Sequence, residues 1–279
     1  MRTPTAQGVS LPAALLMGAV AIAGTAQADQ VTLEPVADTS IYSEDADVSN
    51  GAGQALYAGL TRRGDLRRAL LRFDVAAAVP PGATIEAASL QVRVSRSVSG
   101  PLTATLHRLT ADWGEAGSDA GLPGGQGAAA AEGDATWTWR HYLGMTGVPP
   151  PEALWTLPGG DFVAIGSATA LVGDVGTYAW SGPGMVADIE SWLADPAADA
   201  GWIVRVAETT PGSAKQFDSR EHPLAANRPQ LLIDFTPGAS VPPPVRQPAV
   251  IPAAGLPVLF GLAILVGLLG ATVAVRRRG

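Results

Sequence analysis

The sequence predicts an all-β protein, a jelly-roll-like β-sandwich with one short helix, plus a C-terminal transmembrane helix. Three observations carry that prediction. Gly (33) and Pro (23) make up a fifth of the 279 residues, while charged side chains make up only 15 %. This is the composition of short strands and frequent turns, not of a coiled coil or a charged disordered chain. Apolar and polar residues alternate in several short runs, the period of half-buried strands. Finally, one apolar stretch without charges, 250–275, ends in Arg276-Arg277-Arg278.

In chain order, the first 28 residues read as a secretory signal. Arg2 is their only charge, Leu11 to Ala23 is apolar, and Ala26-Gln27-Ala28 supplies a small-x-small pattern with cleavage expected after Ala28. The apolar run is broken by Pro12 and Gly18 and is too short to span a bilayer. Residues 29–239 form the folded domain. Strands are predicted over 31–36, 70–75, 84–94, 102–109, 201–206 and 230–235, with a slip in the alternation at Ala87-Ala88. Turns such as Val79-Pro-Pro-Gly82 separate them. Met185, Val186, Ile189, Trp192 and Leu193 share one helical face, and Asp195-Pro196 ends that helix. Residues 117–131, rich in Gly and Ala, read as a flexible insertion without packing content. A Pro-rich spacer (240–249) precedes the apolar segment 250–279. Its 26-residue apolar core, as a helix of about 39 Å, exceeds the roughly 30 Å hydrocarbon layer. The terminal arginines place the C-terminus on the cytoplasmic side.

Composition excludes several chemistries. Cys is absent, so disulfides, thiolate nucleophiles, Cys-ligated zinc and iron–sulfur clusters are ruled out. Lys215 is the single lysine and there are only three His. Without the arginines at 2, 246 and 276–278, the exported domain keeps 13 basic against 25 acidic residues, a formal charge of −12. Such a domain repels phosphate backbones, so nucleic acid is not an expected partner. No Gly-x-Ser-x-Gly or His-Glu-x-x-His motif occurs. Arg140, His141 and Tyr142 would suit a polysaccharide lyase, but neighbours on a strand point in opposite directions. No catalytic residue is assigned and no cofactor is required.

Three clusters are candidate sites, each with a plainer alternative. Asp38, Glu44, Asp45 and Asp47 could form an irregular oxygen cage for one structural calcium. The run from Asp45 starts like an EF-hand loop but has Asn50 where Gly is needed and Leu56 where Glu is needed. The alternative is a solvated acidic loop. Arg62, Arg63, Arg67 and Arg68 form the densest basic cluster and could bind sugar carboxylates bidentately, or simply decorate a hairpin end. Trp137 and Trp139, read as two indoles on one strand face, offer a stacking platform for sugars or belong to the core. Arg220 is expected in a buried ion pair that locks a loop, with ligand contact as the alternative.

Several motifs together resemble one family. Val36-Ala-Asp-Thr-Ser-Ile41, Asn50-Gly-Ala-Gly53, Arg68-Ala-Leu-Leu-Arg-Phe-Asp74, Pro81-Gly-Ala-Thr-Ile85 and Trp113-Gly-Glu115 are similar to the N-terminal half of DNRLRE domains. Met185-Val-Ala-Asp188, Gly201-Trp202, Phe217-Asp-Ser-Arg-Glu221 and Asn227-Arg-Pro229 continue the resemblance. It implies a non-catalytic jelly roll akin to carbohydrate-binding modules, with polysaccharide, including acidic polysaccharide, as partner. The order of spacer, Ile251-Pro252-Ala253-Ala254, apolar helix and Arg cluster resembles PEP-CTERM and IPTL-CTERM sorting tails. That resemblance implies a bacterial envelope or cell-surface location, with the membrane and an exosortase-like sorting enzyme as partners. The expectation is therefore an exported, membrane-tethered protein that binds or organises polysaccharide. Exposure of the two indoles would favour sugar binding. Their burial would favour a purely structural surface protein, and a convergent His/Tyr/Arg cleft would favour a polysaccharide-active enzyme.

Overall fold

The computed structural model describes residues 28–144 and 148–238. The predicted signal up to residue 27, the Pro-rich spacer and the membrane segment 250–275 lie outside them. Among the described residues no helix is long and apolar enough to cross a membrane.

Among the described residues thirteen strands and two α-helices follow one another. They are β1 (Asp29–Leu33), β2 (Ala37–Tyr42), β3 (Val48–Ser49), β4 (Ala55–Leu60), β5 (Leu66–Arg72), α1 (Val75–Ala78), β6 (Thr84–Arg96) and β7 (Leu102–Arg108) in the first half. The second half contains β8 (Ala128–Ala129), β9 (Ala168–Val172), β10 (Gly176–Ser181), α2 (Pro183–Ala194), β11 (Trp202–Val206), β12 (Lys215–Asp218) and β13 (Gln230–Thr236). Every pairing is antiparallel. One layer holds β1, β13, β6, β10 and β12, and the other holds β2, β5, β11, β7 and β9. β4 joins them: Ala55–Ala58 pair with β12, then Gly59 and Leu60 pair with β5. The result is a curled, mostly antiparallel β-fold consistent with a sandwich.

The two layers explain two kinds of sequence pattern. In β6, Ile85, Ala88, Leu90, Val92 and Val94 are buried and their neighbours are more exposed, and β13 alternates likewise. These inward residues meet Ala69, Leu71, Ala104, Leu106, Trp202 and Val204 of the opposite layer in the main core. The slip at Ala87-Ala88 is a β-bulge: Asp234 faces Ala87, the next residue Phe235 faces Ile85, and Glu86 is left over. β2 and β5 do not alternate in burial, because the second layer is covered on both faces. Its outward residues Ile41, Leu70 and Ile203 pack beneath Trp113, Trp155 and Phe162 from the long excursion between β7 and β9. Burial on both sides does not show here as a continuous apolar run, because β2 reads Ala-Asp-Thr-Ser-Ile-Tyr and β5 carries Arg67 and Arg68.

Helix α2 starts with Pro183 at its first turn and stops at Asp195, before Pro196. It buries Met185, Ile189 and Trp192, and Trp192 meets Trp202 edge-on at 4.6 Å. Asp188 ties the helix to the second layer by accepting from Trp202 Nε1 at 2.8 Å and pairing with Arg108 at 3.1 Å.

The segment 117–131 corrects an expectation, since it is built into the fold. Ser118 is buried and accepts the amide of Gly51 at 3.0 Å. The carbonyls of Gly124 and Gly125 accept from Tyr42 and Arg67, and β8 pairs with β3. Its contacts run through backbone groups and small side chains, which composition does not reveal.

Candidate functional site: a basic cleft and a buried acidic cluster

Side chains that face each other across neighbouring strands share a face of the sheet. Tyr57 on β4 is opposite Gln216 on β12, and Gln216 is opposite Arg96 at the end of β6. Their neighbours Leu56, Phe217 and Val94 point into the core, so this row of three lies on the outer side. At the usual strand spacing it is about 10 Å wide. The β4–β5 turn, residues 97–98 and the loop 123–126 wall it in, making a cleft of about 1050 Å³.

Arg62, Arg63, Arg67, Arg96 and Lys215 line the cleft against Glu44, Asp45 and Asp65, an excess of two positive charges. Arg62 and Arg63 stand exposed on a turn closed by Thr61, whose hydroxyl accepts the Asp65 amide at 3.0 Å and donates to its carboxylate at 3.2 Å. Gly64 takes a positive φ of 97° there, which completes the reversal. Among the described residues Arg62, Arg63 and Arg96 have no carboxylate partner. Arg67 does: its guanidinium forms a two-pronged pair with Glu44, donates to the Gly125 carbonyl and lies over the Tyr42 ring. Lys215 is fully buried. Its ammonium turns to Ser97 Oγ and the carbonyls of Ser99, Gly100 and Gly173, at 2.6–3.1 Å. Burial pushes its pKa down, and nearby Asp174 opposes that shift.

Tyr57 is 7 % exposed, and its hydroxyl has no hydrogen-bond partner within the protein. Burial pushes its pKa up to about 12, against the pull of Arg96 and Arg67. At neutral pH it therefore keeps its proton, and the hydroxyl oxygen itself is covered rather than open to the cleft.

The structure divides the four predicted arginines. Arg67 and Arg68 are adjacent in a strand and so leave on opposite faces. Arg68 lies under the outer cover of the second layer, where it grips Glu208 at 2.7 and 3.0 Å, donates to Gly159 O, and stacks 4.9 Å from the Trp137 ring. The predicted indole platform is also corrected, because Trp137 and Trp139 lie in a loop that contains no strand. Trp139 is buried at 8 % exposure, edge-on to Tyr142, and Trp137 is half-buried beside Arg68. Neither lines the cleft. Arg140 donates to the Glu152 and Asp112 carbonyls, His141 faces the Asp112 carboxylate, and Tyr142 packs on Trp139, so the three do not converge on one cleft. Arg96, Tyr57 and Gln216 escaped the sequence reading, because only strand register brings them together.

The four acidic residues also separate. Glu44 is held by Arg67, and Asp45 and Asp47 lie on an exposed turn where Asp45 accepts the Asp47 amide. Asp38, on β2, instead meets Glu115 and Glu221, with one oxygen from each within 4.8 Å of the others. Arg220 spans the group: its amide donates to Asp38 Oδ2 at 2.8 Å, and its guanidinium pairs with Glu115 and Glu221 at 2.9 Å. The anticipated Arg220 ion pair is thus present, but the arginine side chain is 36 % exposed rather than buried. Burial raises the pKa of Asp38, Glu115 and Glu221 alike.

No curated protein matches the chain. A model of carbohydrate-binding module family 96 matches residues 29–118. That stretch carries Asp38, Tyr57, Arg62, Arg63, Arg96 and Glu115 but ends before β11 and β13, which the sheets insert between β5 and β7 and between β1 and β6. The match covers about a third of the chain and supports a carbohydrate-binding module.

Proposed function

We propose that the protein is a non-catalytic binding module for an anionic polysaccharide, held by the cleft around Tyr57. One observation carries this reading. Arg62, Arg63 and Arg96, none engaged by a carboxylate among the described residues, line one cleft of a domain whose net charge is −12. Long-range repulsion between such a domain and an acidic glycan is screened beyond about 8 Å at physiological salt, so affinity must come from a local basic patch. Arginine forks can bind sugar carboxylates in pairs, and the Gln216 amide adds neutral hydrogen bonds. The family match supports carbohydrate as the ligand class.

Burial of Trp139 removes the indole platform, and by that criterion alone a purely structural surface protein would be favoured. The cleft is what favours binding instead. Retention of the purified protein on an immobilised alginate-type matrix tests the choice. The variants R62A/R63A and R96A should each elute earlier while melting normally, because exposed charges contribute little to stability. W139F, outside the cleft, should be retained like the wild type. Unchanged retention of both arginine variants would contradict the assignment.

We also propose, from the sequence of 1–28 and 250–279, that the module is exported and tethered by a single C-terminal span or processed at a sorting tail. Protease added to intact spheroplasts should then degrade the β-domain, and full protection would contradict this topology.

A further inference from the structure

We propose that Asp38, Glu115 and Glu221 hold one divalent cation, calcium by the chemistry of their donors. The site is separate from the polysaccharide cleft, since none of the three lines it. They come from β2, the loop after β7 and the segment after β12, so one ion would join three distant parts of the chain.

Two independent features point to a ligand. Asp38 is fully buried, yet its Oδ1 has no hydrogen-bond donor. Glu221 Oε2 is likewise buried and unpartnered. Buried carboxylate oxygens without a donor are costly, so a bound group is the economical explanation of two in one cluster. The charges agree as well. Three carboxylates and Arg220 leave an excess of two negative charges, matching a divalent ion. A proton shared between Asp38 and Glu221 would serve one pair of oxygens and leave one negative charge. A divalent cation neutralises both charges and gives each orphan oxygen a partner. An all-oxygen donor set of carboxylates without His suits calcium, which tolerates irregular cages. Arg220 then acts as the fixed counter-charge that orders Glu115 and Glu221 around the ion.

Calorimetric titration of calcium chloride into the chelator-stripped, purified protein in neutral buffer tests this. One binding isotherm with a stoichiometry near one is expected. Calcium should raise Tm above that in chelator, because the ion binds the native state. E221Q alters the most peripheral donor and spares the buried Asp38, and it should weaken binding about ten-fold or more. D45N/D47N should bind like the wild type. Absence of an isotherm together with identical melting in calcium and chelator would overturn the site. So would wild-type affinity in E221Q, or loss of binding in D45N/D47N.

Discussion

Lys215 shows how a single side chain can organise two turns. Its ammonium has no carboxylate within ion-pair distance among the described residues and donates to four oxygens from the β6–β7 and β9–β10 connections. Lys215→Met keeps the apolar stem and removes the donors, leaving those acceptors unpaired. We expect a loss of about 2 kcal/mol, seen as a fall in Tm on the order of 6 °C. Asp199 gives a pH-dependent counterpart. Burial raises its pKa to about 6, against the Gly201 amide and Arg72, while Asp74 reinforces the shift. The native state therefore binds this proton more tightly than the unfolded chain, and its contribution to stability falls as pH rises from about 4 to about 6. Melting of D199N should gain on the wild type across that window, and a constant difference would contradict the assignment. The same scale shows what the sequence concealed. Arg62 and Arg63 were legible as a basic cluster. Separating Arg67 from Arg68 required knowing that both lie within a regular strand. Glu115 and Glu221 are 77 and 183 positions from Asp38, whereas sequence reasoning gathered its nearest acidic neighbours.

Among the elements, β4 determines how the layers connect. It leaves one sheet for the other at Gly59, where φ is +122°. A side-chain carbon there would come within 2.7 Å of the Ala214 backbone. Gly59→Ala combines a disfavoured conformation with a backbone clash and should cost on the order of 3 kcal/mol. Equilibrium urea unfolding would show it, and a wild-type midpoint would refute the corner's importance. Since β4 also carries Tyr57, a surviving G59A fraction should bind polysaccharide less tightly. Strands with one solvated face, β6 and β13, were readable from alternation, including the bulge. β2, with its unbroken burial, gave only a weak signal because a cover of Trp113, Trp155 and Phe162 hides its outer face. The 117–131 segment was misread for a related reason: its carbonyls bind Tyr42 and Arg67, and backbone bonding leaves no mark on composition.

For the whole molecule, charge distribution links fold to function. The domain is acidic overall, yet one strand row and one turn collect arginines around Tyr57. Binding should therefore weaken as salt rises, because screening acts on the exposed arginines that attract the ligand. The most direct measurement compares a polyuronate with the same polymer after its carboxylates have been reduced to alcohols. Titrated with each at physiological salt, the wild-type protein should bind the polyuronate, lose that binding as more salt is added, and bind the reduced polymer weakly or not at all. Equal binding to both polymers, or binding to neither, would contradict an arginine-lined site for anionic polysaccharide.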